Sequence, residues 1–376
     1  MNILITGGTG TISSGIARES IKRNYETWAV TRGRSEYKNI DGVKYIHADV
    51  FNIDDLKNKI FGMHFDVVVE CLVYNVDQLK ISLENFGNMC TTYVFISTAG
   101  VYSRDGNKRI KESDEKNCVQ WEYSRSKIEC EEYLKEYCKN NKLKYIIIRP
   151  VVTYGEYRVP FPITTRNPGW TFFQRLKDGR PMLACDNVKC SVLHIDDFSY
   201  AVVSLFDNPK AVDEDFHIAS RYGDIFWDAV INIAAKKLCI IPNIIHVSLI
   251  DIKEMWPELY DELKWNKTTD LLMDDTKLLN AVPDFKQKIS IDKGIEMIME
   301  QMEKEVSDNG LKLDRIFNEK CDMVLWYAYV NKKVSMEELN LLKEYFYSIE
   351  DMKYRVKIRL KVIKMMLKRI KSRVKR

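Results

Sequence analysis

Short apolar runs alternate with amphipathic segments along the chain from Asn2 to Arg149. The apolar runs are rich in Val, Ile and Tyr and predict six β-strands, at Asn2–Ile5, Glu26–Thr31, Val43–Ala48, Phe65–Val73, Tyr93–Ser97 and Lys144–Arg149. The intervening segments repeat apolar residues at helical spacing and predict helices at Ile12–Ile21, Asp54–Ile60, Val76–Phe86 and Trp121–Asn140. This order predicts an α/β fold with a doubly wound parallel sheet.

From Val151 onwards the alternation is less regular, because several prolines interrupt it. We expect residues 1–155 to form the sheet domain, with segments around 185–220 returning to it, and residues 156–310 to form a smaller C-terminal lobe. In that lobe His194 is expected to pack or cap, and Asp196 and Asp197 to cap a helix at Phe198–Phe206. Residues 311–376 are predicted to be a helical extension.

The last predicted helix carries one apolar stripe on a basic background. Its apolar residues are spaced alternately by four and three positions, which places them on one face: Val356, Leu360, Ile363, Leu367, Ile370 and Val374. Lys and Arg cover the rest of the helix. Three contacts fit this pattern, namely an anionic membrane surface, the body of the chain or a partner protein, and a nucleic acid.

The net charge of +4 conceals an uneven distribution. Residues 353–376 contain twelve Lys or Arg and no acid, so removing them leaves the first 352 residues at −8. This acidic body argues against extended nucleic-acid binding. Of the two remaining contacts we favour the anionic membrane surface, with docking on the body or a partner protein as the alternative.

Composition narrows the classes of protein further. No apolar run approaches the roughly 20 residues of a membrane span. Because the first strand begins almost at Met1, we expect no leader peptide. The cysteines are scattered without a C-x-x-C pair, and the histidines lack the spacing of metal ligands. We therefore expect a cytoplasmic protein with free thiols and no metal, peripheral on the inner face of the membrane if the last helix binds there.

The chain begins with a strand, a glycine-rich turn and a helix start, in the sequence MNILITGGTGTI. This order is typical of a dinucleotide site, because glycines let the backbone approach the pyrophosphate and the helix N-terminus presents free N–H groups. We therefore expect residues 1–155 to be an NAD(P)-binding Rossmann domain. The predicted cofactor contacts of the turn are Gly7, Thr9, Gly10, Thr11 and Ile12.

Three further strand ends complete the predicted cofactor site. Strand two is followed by Arg32 and Arg34, where an NAD site would carry an acid for the ribose hydroxyls. Unless both are solvated turn residues, the arginines favour a 2′-phosphate and hence NADP over NAD. Asp49, after strand three, is predicted to accept from the adenine amino group or to cap a turn. Val50 and Leu72, the latter at the end of strand four, would line the site.

Tyr123 and Lys127 form a Y-x-x-x-K motif, whose spacing places phenol and ammonium on one helix face. A nearby cation lowers the pKa of a phenol, which would make Tyr123 a usable base near neutral pH. Thr98, which follows strand five, can hydrogen-bond the same substrate oxygen. We predict that Thr98, Tyr123 and Lys127 are the catalytic residues.

The chain resembles the extended short-chain dehydrogenase/reductase superfamily, the group of NAD-dependent epimerases/dehydratases. The matching stretches occur in the expected order within about residues 1–300: Thr6–Ile12, Asp49–Val50, Ser97–Tyr102, Tyr123–Lys127, Arg149–Gly155 and His194–Asp197. Within this superfamily, Trp121–Glu132 and Asp274–Lys277 resemble a bacterial sugar-epimerase-like subgroup.

The resemblance implies a Rossmann domain with a smaller substrate lobe, and a sugar, nucleotide-activated in many members, as the substrate. Tyr123 would be the acid/base, Lys127 would also hold the nicotinamide ribose, and Thr98 would orient the substrate hydroxyl. Val152 is counted with the cofactor-binding residues, although many nucleotide-sugar members carry Asn there. The resemblance also suggests a homodimer through the helix that carries Tyr123.

Two reactions fit the resemblance, an epimerisation and a one-way reduction, both dependent on NAD(P). Ala99 and Gly100 occupy positions where 4,6-dehydratases carry Asp and Glu, which argues against a dehydratase. The alternative from another class is a non-catalytic Rossmann-type protein of the same superfamily that binds RNA or a partner.

Overall fold

The computed structural model describes residues 1–33, 39–103, 108–165 and 170–374. The chain divides into two compact units, each assembled from three stretches. Unit 1 comprises Met1–Gly155, Ser191–Asp224 and Leu272–Ser290, and unit 2 comprises Glu156–Cys190, Ile225–Leu271 and Ile291–Arg376. The substrate role that the sequence assigns to residues 156–310 stays a prediction.

Twelve strands lie in the described ranges: β1 (Asn2–Thr6), β2 (Glu26–Thr31), β3 (Lys44–His47), β4 (Phe65–Glu70), β5 (Cys90–Ile96), β6 (Lys144–Pro150), β7 (Val152–Tyr154), β8 (Met182–Ala184), β9 (Lys189–His194), β10 (Glu214–Ile218), β11 (Asp224–Phe226) and β12 (Ile244–His246). Seven of them form one parallel sheet in unit 1, in the order β3-β2-β1-β4-β5-β6-β10. The predicted doubly wound α/β fold is therefore confirmed. Its strand order changes direction between β1 and β4, the switch point at which such sheets bind ligands.

The helices of unit 1 are α1 (Thr11–Lys22), α2 (Ile53–Ile60), α3 (Val76–Phe86), α4 (Glu122–Asn141), α6 (Ile195–Val203) and α10 (Thr276–Ala281). Those of unit 2 are α5 (Trp170–Lys177), α7 (Trp227–Lys237), α8 (Leu249–Met255), α9 (Pro257–Asn266), α11 (Ile291–Asn309), α12 (Arg315–Val330), α13 (Met336–Ser348) and α14 (Met352–Val374). Local signals start several of them: the side chains of Asn52 and Asn75 cap α2 and α3, and Ser335 forms a capping box with Glu338 at α13.

Strand β4 ends three residues earlier than its apolar run predicts. The run continues to Val73, but the carboxylate of Glu70 accepts a hydrogen bond of 2.7 Å from the N–H of Leu72. A side chain that bonds the backbone two residues later turns the chain out of the sheet. Strand β2 and helix α3, by contrast, have the predicted limits.

Helix α6 begins at Ile195 rather than Phe198, and its N-cap is His194. The ring Nδ1 of His194 accepts from the N–H of Asp196 at 3.2 Å. Asp197 instead accepts from the N–H groups of Lys288 and Ile289, so the predicted capping by Asp196 and Asp197 is wrong. His194 does cap a helix, but this helix belongs to unit 1 and not to a separate lobe.

Helix α14 buries a face other than the predicted apolar stripe. Ile358 and Val362 are its buried apolar residues, whereas Val356, Leu360, Ile363 and Leu367 of the predicted stripe are about half exposed or more. The helix packs on α12 and α8 of the same unit. Among the described residues, no helix is both long and apolar enough to cross a membrane.

Candidate functional site

The glycine turn lies directly after β1, at the switch point of the sheet. Gly7 and Gly8 have positive φ angles of 100° and 69°, which favour glycine over any other residue. The N–H of Gly7 donates to the carbonyl of Val30 on β2 at 2.8 Å. A Cβ at Gly8 would lie 2.7 Å from the Cβ of Ala29. At Gly7 and Gly8 the backbone therefore lies close to the ends of β1 and β2, with no room for a Cβ at Gly8.

Helix α1 starts at the end of this turn, with Gly10 as its N-cap. Ser13 stands where the third glycine of the motif would be. Its hydroxyl accepts from the N–H of Gly10 at 3.1 Å, so the serine stabilises the helix start. Close packing is supplied instead by Gly15, where a Cβ would lie 2.4 Å from Cγ1 of Ile195 on α6. The first N–H groups of a helix have no partner within it, so those of Thr11 and Ile12 can bind an anion.

Glu70, which sequence reasoning missed, is fully buried at the end of β4 beside the glycine turn. Its carboxylate accepts from the hydroxyl of Thr6 at 2.6 Å and from the N–H of Leu72. The side chain of Leu72 in turn lies against Gly7, 3.3 Å from where a Cβ would be. Glu70 thus fixes the two strand ends that border the switch point. Its signal in the sequence is an acid in the middle of an apolar run.

Lys127 on α4 is buried, and its ammonium bonds the loop after β4 and the last residue of β5. Nζ donates to the carbonyl of Val73 at 2.7 Å and to that of Ile96 at 2.8 Å. Burial lowers the pKa of this ammonium to about 8, partly offset by the negative charge of Glu70. An ammonium has three N–H groups. The third has no hydrogen-bond acceptor within the described ranges, so it can donate to a ligand.

The turn that begins at Thr98 is bonded to the residue next to Tyr123. Ser124, next to Tyr123, donates its hydroxyl proton to the carbonyl of Gly100 at 2.5 Å. The hydroxyl of Thr98 accepts from the N–H of Gly100 at 3.0 Å. The half-buried ring of Tyr123 contacts the rings of Trp121 and Tyr74, with centroids 4.9 and 6.3 Å away. The start of α4 is therefore held against the turn that carries Thr98.

A buried ionic network supports this arrangement from the next turn of α4. Glu131, four residues after Lys127, accepts from the hydroxyl of Ser97 at 2.5 Å. It also pairs with Arg149 on β6 at 2.8 Å and with Lys116 at 3.0 Å. These cations keep the pKa of Glu131 below its ordinary value despite burial. Glu131 thus ties α4 to the residue that precedes Thr98.

The other predicted cofactor-binding residues lie on separate elements, outside the glycine turn. Arg32 is exposed directly after β2, and Arg34 lies outside the described residues. The carboxylate of Asp49 accepts from the N–H of Phe51 at 3.1 Å, which is the turn-capping alternative. Val50 is buried in the core beside α3, where its carbonyl accepts from Asn85. Val152 lies in β7, outside the seven-stranded sheet, paired with Val192 of β9.

The residues of the glycine turn fit a dinucleotide on structural grounds. A backbone that carries three glycines, next to a helix N-terminus at the switch point, leaves room and N–H donors for a pyrophosphate. The fold and this turn define a dinucleotide-binding protein of the Rossmann type. The sequence model of the NAD dependent epimerase/dehydratase family matches residues 3–85 and 82–219. The chain belongs to this family, since the match covers more than half of it.

Curated relatives and a solved structure give further similarities. A chloroplast stem-loop binding protein of 41 kDa from Arabidopsis thaliana is 26% identical over 234 residues, which cover 58% of each chain. A putative UDP-glucose 4-epimerase of Methanocaldococcus jannaschii is 30% identical over 178 residues, 42% of this chain and 58% of that protein. The present chain thus spans 58% of the length of each.

The solved structure is the UDP-glucose 4-epimerase of Thermus thermophilus in complex with NAD. It is 17% identical, with a TM-score of 0.64 over 81% of this chain and 99% of that one. At this identity the likeness concerns the fold alone.

Proposed function

We propose that this protein is an NAD(P)-dependent epimerase or reductase that acts on a hydroxyl or keto carbon of a sugar, in particular a nucleotide-activated sugar. The observation that carries the proposal is the position of Lys127. Its ammonium joins the loop after β4 to the end of β5, and it shares a helix face with Tyr123.

The three proposed catalytic residues have separate tasks. Tyr123 exchanges a proton with the substrate oxygen, and Thr98 orients that oxygen through a hydrogen bond. Lys127 holds the nicotinamide ribose with its remaining N–H and stabilises the phenolate electrostatically. Gly7, Thr9, Gly10, Thr11 and Ile12 hold the pyrophosphate, while Asp49, Val50, Leu72 and Val152 line the rest of the cofactor site. When bound, the nicotinamide accepts hydride from the sugar carbon or donates hydride to it.

The two candidate reactions differ in the fate of the ketone. In an epimerase the keto sugar turns over and regains hydride on its other face, with Tyr123 returning the proton. In a reductase the flow is one-way. A dehydration is disfavoured, because Ala99 and Gly100 are buried residues without an acid or base.

For the cofactor we propose NADP over NAD. Arg32 is exposed at the end of β2, where a guanidinium can bind a 2′-phosphate. Replacing it, as Arg32→Ala, should weaken NADP binding roughly tenfold and leave NAD binding unchanged. Lys57→Ala on α2, also an exposed cation, is the matched control. Equal NADP affinities in the two variants would leave no role for Arg32.

A second candidate is a non-catalytic binding protein, which one observation favours: a relative that the chain matches is, by its name, a stem-loop binding protein. An electrophoretic shift with stem-loop RNA tests this candidate. Binding that persists in Tyr123→Phe, in a protein without cofactor, would support it over the enzyme.

The enzyme is tested first by its cofactor. The purified protein is denatured, and any released nicotinamide dinucleotide is identified by mass and absorbance. Retained NAD(H) favours an epimerase that recycles it in place, whereas an empty site that takes up NADPH favours a reductase. Nucleotide sugars are then screened for isomerisation or NADPH oxidation. Tyr123→Phe should abolish turnover with nearly unchanged cofactor affinity, and full activity would refute its catalytic role.

The homodimer through α4, the contact of residues 353–376 with a membrane and the cytoplasmic location remain proposals. None of them is required for the chemistry of Tyr123 and Lys127.

A further inference from the structure

Helix α14 is fixed on unit 2 by one of its faces. Ile358 and Val362 are buried against the neighbouring helices, with 2% and 1% of their surface exposed. One turn earlier, the hydroxyl of Tyr354 donates to the carboxylate of Asp322 on α12 at 2.7 Å. Asp322 is fully buried and also pairs with Arg175 at 2.9 Å. The helix is thus an integral part of the unit rather than a free tail.

Charged residues fix the flanks of the same helix. Lys357 and Lys361 both pair with Glu319 on α12. Arg369 pairs with Glu254 on α8, and the guanidinium of Arg359 lies 4.6 Å from the ring centroid of Trp326. The basic character of α14 is therefore partly used for docking.

The outward side of α14 combines exposed apolar residues with lysines. Leu360 and Leu367 are 60% and 53% exposed, and Val356 and Ile363 lie beside them at 47% and 50%. At 100° per residue this stripe lies roughly 150° around the helix axis from the buried face. The same spacing places a row of exposed lysines along one edge of the stripe: Lys353, Lys364, Lys368 and Lys371.

We propose that the outward face of α14 binds an anionic lipid surface, with the apolar stripe in the headgroup region and the lysine row against the phosphates. Two observations support this occupant. The apolar residues form one continuous stripe, which is the arrangement that an interfacial helix needs. The charges beside it are all positive, because the helix contains no acid. This inference does not depend on the proposed reaction.

The proposal is tested with the full-length protein and vesicles of phosphatidylcholine, with or without phosphatidylglycerol. We expect cosedimentation with the anionic vesicles alone, and its loss at high salt, because screening removes the attraction of the lysines. The double variant Leu360→Ser/Leu367→Ser should bind the anionic vesicles at least tenfold more weakly. Both residues are exposed, so the variant should remain folded.

Two matched controls test whether loss of vesicle binding is specific to this face of α14. They change exposed apolar residues and exposed lysines elsewhere on the chain. Phe61→Ser/Ile241→Ser removes two apolar residues that are also exposed, at 85% and 92%, and should bind like the wild type. In a second double variant, which reverses two charges of the lysine row, Lys364→Glu/Lys368→Glu should abolish binding to the anionic vesicles. Its control is Lys57→Glu/Lys304→Glu, which makes the same charge change at exposed positions on α2 and α11.

Three results would overturn the proposal. The first is equal binding of the wild type and Leu360→Ser/Leu367→Ser to anionic vesicles. The second is equal binding of the wild type to neutral and anionic vesicles. The third is a dimer in solution that this variant dissociates, together with no vesicle binding, which would make a second copy of the chain the occupant of the face.

Discussion

At the scale of single residues, Lys127 is a buried charge that destabilises the fold. Its ammonium is buried among two carbonyls and the rings of Phe95 and Tyr74, whose centroids lie 4.7 and 5.1 Å away. Burial lowers the pKa from 10.5 to about 8, which corresponds to about 3 kcal/mol against the charged form. A purely structural residue at this position would not need the charge.

We predict that Lys127→Met lowers turnover by at least about 100-fold, because the charge that supports Tyr123 is lost. Its effect on stability should depend on pH. Between about pH 8 and pH 10.5 the unfolded wild type binds more protons at this lysine than the folded protein, so its free energy of unfolding rises with pH. The variant lacks this rise. Denaturant titrations of both proteins across this range measure the difference, and parallel curves would refute the buried charge.

Gly8 offers a test of the glycine turn that is independent of catalysis. Gly8→Ala combines a positive φ with a contact of 2.7 Å to Ala29, whereas Gly62→Ala has a similar φ of 74° and open space around it. We expect about 1 kcal/mol of destabilisation at Gly62 from backbone strain, and 1–3 kcal/mol more, roughly, at Gly8 from overpacking. Thermal or urea unfolding measures both. Equal losses would mean that the turn has room for a Cβ.

At the scale of secondary-structure elements, helix α4 is the part that connects the candidate residues. Three of its residues at intervals of four, Tyr123, Lys127 and Glu131, lie on one face. Lys127 contacts the loop after β4 and the end of β5, and Glu131 contacts Ser97 and Arg149. The helix therefore contacts three neighbouring strands or the loops that follow them.

Glu131→Gln should uncouple this helix from the strands. The change leaves Arg149, only 1% exposed, with less compensating charge, so we expect a loss of about 3 kcal/mol. Glu131→Gln should also show a weaker decline in stability as pH falls below about 4.5. The reason is that the lowered pKa of Glu131 stabilises the fold above that pH. Glu132→Gln, an exposed neighbour on α4, is the control, and equal unfolding curves would contradict a positioning role.

The sequence predicts these elements well where the pattern is local. The apolar patterns typical of a strand and of a helix place β2 and α3 at their observed limits. The spacing of Tyr123 and Lys127 likewise places both on one helix. What could not be predicted depends on residues far along the chain. The acceptors of Lys127 are backbone carbonyls of Val73 and Ile96, and a carbonyl has no signature in sequence.

At the scale of the whole molecule, helix α14 shows that a regular apolar pattern in the sequence need not mark the face that packs. The most regular apolar pattern of α14 is its outward stripe, and the docked face is irregular because it mixes Ile358 and Val362 with Tyr354 and Arg369. The partners of that face lie on α8 and α12, so only the folded chain identifies it. Docking of α14 on the body, one of the three alternatives, is thus observed.

Removal of residues 353–376 should therefore damage unit 2 instead of merely releasing a tail. It uncovers the pocket of Ile358 and Val362 and deprives Asp322 of the hydroxyl of Tyr354. We expect the truncated protein to unfold about 5 °C or more below the wild type. The Tm of Leu360→Ser/Leu367→Ser should be unchanged. An unaltered Tm after truncation would mean that α14 contributes nothing to unit 2.

The docked state of α14 also determines the thermodynamics of any surface that it meets. A disordered basic segment loses conformational entropy when it becomes helical on a target, and this loss weakens its association. Here Asp322, Glu319 and Glu254 hold the helix in place beforehand. Its circular dichroism should therefore stay constant on addition of vesicles, and association should be limited by encounter rather than by folding.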